Sequence, residues 1–133
     1  MSHTIVNPAE LHVSTAFGYS HTAAVPAGSE LVFVAGQYGS GPQGEVVSPD
    51  FGEQVDRTFR NLAAALGAHG LDLRHVVQLR TYVVGLDVER LGAVGAAVRG
   101  AWGSLPPTHT VIGVAGLALP DIQVEIEAVA VRP

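Results

Sequence analysis

The sequence predicts an α+β domain with the element order ββαβαββ, in which two helices cover one face of a mixed six-stranded sheet. Three observations support this prediction. Apolar runs with strand character occur near both ends of the chain, one helical stripe of apolar residues follows position 48, and another follows position 87. At 133 residues and 47% hydrophobic content, the chain fits one domain, 1–133, with its own core.

The first two strands are predicted before residue 38. Residues 17–25, FGYSHTAAV, are typical of a strand, and the turn PAGS follows them. Residues 31–35, LVFVA, form a continuous apolar run that ends at Gly36, so we expect the two strands to form a hairpin. Residues 39–44, GSGPQG, are predicted as a loop because three glycines and a proline disfavour a helix or a ladder. A dinucleotide-binding loop requires a helix that begins at its last glycine, and no helix is predicted to begin at Gly44.

Two helices are predicted from capping residues and apolar stripes. Ser48 is the candidate N-cap of the first helix, Pro49 its first residue and Gly70 its end. Asp87 is the candidate N-cap of the second helix. The residues that we expect to face the core are Phe51, Val55, Phe59, Leu62 and Leu66 in the first helix, and Val88, Leu91, Val94, Val98 and Trp102 in the second.

A β-branched run at 76–84 is predicted as the central strand of the sheet. Two helices cannot cover both faces of a six-stranded sheet, so one face is left open. Association between copies of the chain is the simplest way to bury that face. We therefore expect a homo-oligomer.

The closing segment, 106–131, reads as a strand, a turn and a second strand. A hairpin around Leu117 would place His109 near Glu125 across the ladder. In the second strand, Glu125 and Glu127 share one face by the two-residue period. The other face is apolar and is predicted to be core: Val124, Ile126, Ala128 and Ala130.

The composition argues against several kinds of function. The net charge is −5, and the seven basic residues, all arginine, are scattered, so we do not expect a nucleic-acid partner. The chain has no lysine for a Schiff base and no cysteine for a disulfide, a thiol nucleophile or a thiolate metal site. No two histidines stand two to four positions apart, so we expect no metal. Without a signal-like start or an apolar span, we expect a cytoplasmic protein with no membrane partner.

Four segments together resemble the YjgF/RidA (Rid) family across nearly the whole chain. They are LVFVAGQ at 31–37, RTYVV at 80–84, the Pro-Pro-x-x-Thr-Val segment at 106–111, and VEIEAVA at 124–130. The resemblance implies a chorismate-mutase-like fold and a homotrimer in which the open sheet faces form an inner barrel, with small clefts between subunits. It also implies hydrolysis of reactive enamines and imines to 2-oxo acids and ammonia, with no metal or organic cofactor.

The resemblance also assigns site residues. Glu125 corresponds to the glutamate that positions water, and His109 stands where the family has an arginine that clamps the substrate carboxylate. We predict these two as the catalytic residues. The predicted substrate-binding residues are Tyr19, Gly36, Gln37 and Val111. Val111 stands where many members have cysteine, and Gly95 where asparagine is common.

The histidine at 109 leaves two classes of function open, because it cannot offer the permanent charge and bidentate fork of arginine. In the first, the protein hydrolyses an imine or a related small molecule, with His109 as acid or base and its proton retained by Glu125. In the second, it binds a metabolite or a partner protein without turnover, or serves a specialised pathway on a substrate that lacks a carboxylate. A chorismate-mutase-type activity has less support than either class, because fold does not determine function and no arginine can be placed near the cleft.

Overall fold

The computed structural model describes residues 3–133. The strands are β1 (Thr4–Val6), β2 (Thr22–Ala24), β3 (Glu30–Gln37), β4 (Val76–Val84), β5 (Thr108–Val114) and β6 (Val124–Arg132). The helices are α1 (Phe51–Gly67) and α2 (Val88–Trp102), with short 3-10 turns at Thr15–Phe17 and Leu73–His75. The two helices and six strands of the predicted α+β fold are therefore confirmed. The predicted order ββαβαββ matches the chain from β2 onward, and β1 precedes it. Within residues 3–133, no helix is both long and apolar enough to cross a membrane.

The strands form a mixed sheet and a small ribbon. The main sheet has the order β3-β6-β4-β5, with β6 antiparallel to both of its neighbours and β4 parallel to β5. β1 and β2 pair antiparallel as a separate ribbon, which a parallel bridge between Ser20 and Thr108 joins to the edge of the main sheet. β4 has a neighbour on each side, as predicted for the central strand.

Both predicted hairpins are wrong. β2 pairs with β1, and β3 pairs with β6. β4 lies between β5 and β6, so the closing segment does not fold back on itself. The crossover through α2 makes β5 parallel to β4, and β6 then fills the place on the other side of β4. The turn residues indicated where the chain reverses direction, but not which strands pair. Strand pairing depends on contacts between distant parts of the chain.

The helix caps agree with the prediction for α2 and differ for α1. Asp87 caps α2 by accepting a 2.8 Å hydrogen bond from the backbone N–H of Arg90. In α1 the cap is Asp50, which accepts from the backbone N–H of Glu53 at 2.9 Å, whereas Ser48 bonds to the Glu53 carboxylate. The first helix therefore begins two residues later than predicted, because the carboxylate at 50 is placed to accept the orphan N–H of the first turn.

The core lies between the two helices and one face of the sheet. The predicted apolar face of β6 is buried there, together with Val55, Leu62 and Leu66 of α1 and with Val94 and Val98 of α2. The first two residues of the predicted α2 stripe do not face the core, so that part of the prediction is wrong: Val88 is 87% exposed and Leu91 is 47% exposed. These two side chains line a cleft, described below, that residues of β5 also border.

The opposite face of the sheet is uncovered in this chain. Phe33 of β3 is 74% exposed and Leu31 is 46% exposed, and both point away from the helices because the buried Val32 and Val34 alternate with them. The open face that the sequence predicts is thus present. It is the face on which Glu125 and Glu127 lie.

Candidate functional site

His109 lies on the helix-covered face of the sheet. Its ladder partner on β4 is Leu79, a core residue. Nε2 of His109 is 2.8 Å from the hydroxyl oxygen of the fully buried Thr81, and Nδ1 is 3.3 Å from the carbonyl oxygen of Gly18. A carbonyl can only accept, so Nδ1 carries the proton and Nε2 accepts from the Thr81 hydroxyl. Both ring nitrogens of a neutral imidazole are therefore satisfied within the protomer.

The electrostatic setting of His109 agrees with that tautomer. Burial lowers the pKa of His109 below its ordinary value of 6.5, and the hydrogen bond to the Gly18 carbonyl opposes this only in part. Within residues 3–133, no hydrogen bond or ion pair joins a carboxylate to the ring. The imidazole is accordingly neutral at pH 7.

His109 borders a cleft of about 910 Å3 between α2, β5 and the segment around the first 3-10 turn, which we call the helix-side cleft. Its apolar lining comprises Phe17, Val88, Leu91 and Val111. Its polar lining comprises His12, Tyr19, Arg99, His109 and Thr110. The cleft thus combines a wide apolar wall with a few polar groups, which is typical of a small-molecule site.

Tyr19 is oriented in this cleft by two histidines. Its hydroxyl is hydrogen-bonded to Nε2 of His12. The rings of His12 and His21 stand edge-on to it, with centroids 5.9 and 5.4 Å away. His21 is in turn tied to the backbone, because its Nε2 lies 2.9 Å from the carbonyl oxygen of His12. These contacts present the phenol of Tyr19 to the cleft in one orientation.

Glu125 lies on the uncovered face, next to a bulge in β3. Between Val34 and Gln37 the ladder shifts, so Ala35 and Gly36 together oppose one residue of β6. A Cβ at Gly36 would lie 2.7 Å from Cδ of Glu125, which is closer than carbon atoms approach. The missing side chain at 36 is therefore what lets the Glu125 carboxyl rest against the strand.

The two glutamates of β6 have different surroundings. Glu127 accepts a 2.5 Å hydrogen bond from the Tyr82 hydroxyl and lies 3.8 Å from the Arg80 guanidinium. Within residues 3–133, no hydrogen bond or ion pair reaches the Glu125 carboxyl. Burial, with a smaller contribution from the charge of Glu127, raises the pKa of Glu125 above its ordinary value of 4.5. Glu125 is thus the less constrained carboxyl of the two.

The predicted site residues fall into two groups. Tyr19, His109 and Val111 line the helix-side cleft. Gly36 and Glu125 meet on the uncovered face, and Gln37 follows in the same strand with its amide donating to the Ala35 carbonyl at 3.1 Å. The prediction that His109 lies near Glu125 across a ladder is wrong, because β4 separates their strands and the two side chains point to opposite faces.

Arg99 is a residue of the cleft that the sequence prediction missed. It lies in the last turn of α2 and lines the cleft together with Gly92 and Gly95. The spacing of 92, 95 and 99 places these positions on one helical face, which is the signal that was available. No arginine could be placed near the cleft from the sequence, and the structure places Arg99 there. The sequence did not show whether this helical face is buried or exposed, because Gly92 and Gly95, two of its three residues, have no side chain.

Within residues 3–133, no group of three or more histidine, aspartate or glutamate side chains comes close enough together to hold a metal ion. The six histidines are divided among several regions of the chain. His12 and His21 come together only with Tyr19, in the aromatic contacts given above.

Comparison with known proteins decides the family. The model of the family described as endoribonuclease L-PSP matches residues 10–132. The chain belongs to this family, which is the YjgF/RidA (Rid) family. The resemblance inferred from the four segments is thereby confirmed.

Individual Rid-family relatives agree. The protein DfrA of Myxococcus xanthus is 36% identical over 116 residues, which are 85% of this chain and 84% of that protein. A crystal structure of the Rid protein YyfB from Yersinia pestis, described as of unknown function, has 34% identity and a TM-score of 0.93, and covers 99% of this chain and 100% of its own. Escherichia coli TdcF, solved with bound serine, is 28% identical with a TM-score of 0.69, over 82% of this chain and 85% of its own. The chorismate-mutase-like fold expected for the family is thus confirmed.

Proposed function

We propose that this protein is a Rid-type hydrolase that converts a small enamine or imine to the corresponding carbonyl compound and ammonia. The observation that supports this best is the Glu125 carboxyl. It has no bonding partner within residues 3–133, its pKa is raised by burial, and it rests against Gly36 on an uncovered face. A carboxyl with a raised pKa holds a proton more readily than an ordinary glutamate, which favours its use as a general base or acid.

The proposed reaction needs only water and one proton carrier. Water attacks the carbon of the C=N bond and gives up a proton to the Glu125 carboxylate as the C–O bond forms. Glu125 passes this proton to nitrogen, which gives a carbinolamine. Its carboxylate then takes the hydroxyl proton and passes it to nitrogen as well, so that the C–N bond breaks, ammonia leaves and the carbon keeps a C=O bond. No electrons are gained or lost, and no metal or organic cofactor is required.

His109 has a different part in this proposal from the one predicted. Its two ring nitrogens are bonded to Thr81 and to the Gly18 carbonyl, so proton transfer is assigned to Glu125. The imidazole fixes Gly18 and thereby the neighbouring Tyr19, which lines the cleft. The predicted proton exchange between His109 and Glu125 is not part of the proposal, because the two lie on opposite faces of the sheet.

A second copy of the chain is needed to bring the two groups of site residues together. In one protomer, the helix-side cleft and the Glu125 carboxyl are separated by the sheet. The uncovered face with Phe33 and Leu31 favours association, since exposed apolar side chains are buried when copies pack together. We propose a homotrimer, as the family resemblance implies, with Glu125 of one copy facing the helix-side cleft of another.

The family description names an endoribonuclease, but the charge distribution favours a small molecule over RNA. Four of the seven arginines pair with carboxylates, in Arg60–Asp56, Arg74–Asp72, Arg80–Glu127 and Arg132–Glu30. RNA binding requires a run of cations that replaces counterions along the phosphate backbone. With a net charge of −5, the protein surface repels a polyanion.

The experiment is to measure ammonia release from 2-aminoacrylate generated enzymatically in the same mixture. We expect the wild-type protein to accelerate release above the uncatalysed rate, and Glu125→Gln to remove most of that acceleration. Glu127→Gln is the matched control, because it neutralises the neighbouring carboxylate that is already bonded to Tyr82. A wild-type rate equal to background, combined with a gain of activity in His109→Arg, would reject the hydrolase proposal.

Binding without turnover is the second candidate, and the state of His109 favours it. A neutral imidazole with both nitrogens engaged cannot replace a charged clamp. A thermal-shift screen separates the candidates when 2-oxo acids are compared with neutral aromatic metabolites. Stabilisation by neutral compounds alone, without catalysed ammonia release, would favour the binding protein.

A further inference from the structure

The helix-side cleft contains a single permanently charged group. Of the side chains that line it, Arg99 is the one that is ionised at all accessible pH values, and neither aspartate nor glutamate is among them. The rest of the protein is acidic, with a net charge of −5. A lone guanidinium in a cleft that no described carboxylate lines produces a local positive potential that favours an anion.

The position of the Arg99 guanidinium is set from two sides. One of its terminal nitrogens donates a 3.0 Å hydrogen bond to the carbonyl oxygen of Ala16. The same nitrogen would lie 3.3 Å from a Cβ placed on Gly95, so the glycine leaves the space in which the guanidinium lies along α2. The bond to Ala16 uses one of the five N–H donors of the arginine side chain. The guanidinium is thus held in place at the cleft with donors remaining for a ligand.

We propose that Arg99 binds the carboxylate of the ligand in the helix-side cleft, and that this ligand is a small carboxylic acid with a short apolar body. The planar guanidinium matches the two oxygens of a carboxylate. Phe17, Leu91 and Val111 supply the apolar wall for the rest of the molecule. The inference rests on the proposed function to the extent that this ligand is the substrate.

Arg99 also links two elements of the fold, because its hydrogen bond to Ala16 joins the first 3-10 turn to α2. His109 holds the same segment from β5 through the carbonyl of Gly18. A purely structural role predicts that loss of Arg99 alters the cleft for every ligand alike. A carboxylate-binding role predicts a loss that depends on the charge of the ligand, and this difference is what the experiment measures.

The experiment is isothermal titration of the assembled protein with 2-oxobutanoate and with its neutral analogue 2-oxobutanamide. We expect the wild-type protein to prefer the acid, and Arg99→Met to weaken binding of the acid by roughly ten- to a hundredfold while binding of the amide changes little. Arg99→Lys should retain part of the preference as a point charge. Arg60→Met is the matched control, since Arg60 is an exposed arginine of α1 paired with Asp56 and lies outside the cleft.

Each result assigns a cause. No binding of 2-oxobutanoate by the wild-type protein, or equal losses for acid and amide in Arg99→Met, overturns the proposal. Charge-dependent binding through Arg99 without catalysed ammonia release would support it and reject the hydrolase. If ammonia release is catalysed, Arg99→Met should raise KM more than it lowers kcat. Catalysis with an unchanged KM in Arg99→Met would leave the hydrolase standing and overturn the role of Arg99.

Discussion

His109 and Glu125 lie on opposite faces of one sheet: His109 is in register with the buried Leu79, and Glu125 is in register with Tyr82 on the uncovered side. The sheet thus separates two groups of residues that the family resemblance assigns to one site. Their separation within a protomer makes assembly part of the proposed function. It also means that each group can be tested by itself.

Replacement of Gly36 by alanine should separate activity from stability. The new methyl group would meet the Glu125 side chain, which can rotate away at little cost because it is flexible and accepts no hydrogen bond within residues 3–133. We therefore expect the melting temperature to change little and ammonia release to fall about as far as in Glu125→Gln. The double variant should be no worse than either single variant, because both act on one carboxyl. Additive losses would contradict this coupling.

The pH dependence of stability should carry a contribution from Glu125. Since its pKa is raised in the folded protein, the contribution is fully present below the ordinary value of 4.5 and is lost as the pH rises through the folded pKa. Chemical denaturation between pH 4 and pH 7 should therefore show wild type losing stability relative to Glu125→Gln as the pH rises. A constant difference between the two proteins would show that the carboxyl is not desolvated.

His109 should affect stability in the opposite direction. Because its pKa is lowered on folding, its contribution is present above the ordinary value of 6.5 and is lost as the pH falls through the folded pKa. Unfolding free energies measured from pH 7.5 down to pH 5 should decrease more steeply for wild type than for His109→Asn. Parallel curves would mean that the imidazole is solvated in the folded protein.

Thr81 should stabilise the neutral form of His109. Thr81→Val keeps the shape of the side chain but removes the hydroxyl that donates to Nε2, which leaves a desolvated acceptor unpaired. We expect a loss of about 1 to 3 kcal/mol in unfolding free energy at pH 7.5. Thr81→Ser, which keeps the hydroxyl, is the control and should lose less. Equal losses in the two variants would show that packing, and not the hydrogen bond, accounts for the contribution of Thr81 to stability.

A charge on the uncovered face should prevent assembly. Phe33→Glu places a carboxylate among side chains that we propose are buried between copies, and a buried unpaired charge is strongly unfavourable. Light scattering coupled to size exclusion should show a homotrimer for wild type and a smaller species for the variant. Leu119→Glu, at another exposed apolar position, in the loop before β6, is the control. A wild-type monomer would refute the proposed assembly.

Much of the fold could be predicted because it depends on local patterns. The alternation in β6 predicted its buried face, and the carboxylate of Asp87 predicted the start of α2. Glu125 and Gly36 were assigned to one site, and they are in contact. The cap of α1 was misplaced by two residues because Ser48 and Asp50 are both good caps and differ only in how the chain approaches the helix.

By itself, the sequence determined the two helices, the order of the elements from β2 onward, the buried faces of α1 and β6, and the family. These depend on residue type and on spacing over a few positions. Tertiary structure alone decided the pairing of the strands, and hence that His109 and Glu125 face opposite ways. It also decided that Arg99 and Tyr19 line the same cleft. The physical reason is that pairing is selected by packing between residues far apart in the chain, and one intervening strand changes which side chains can meet.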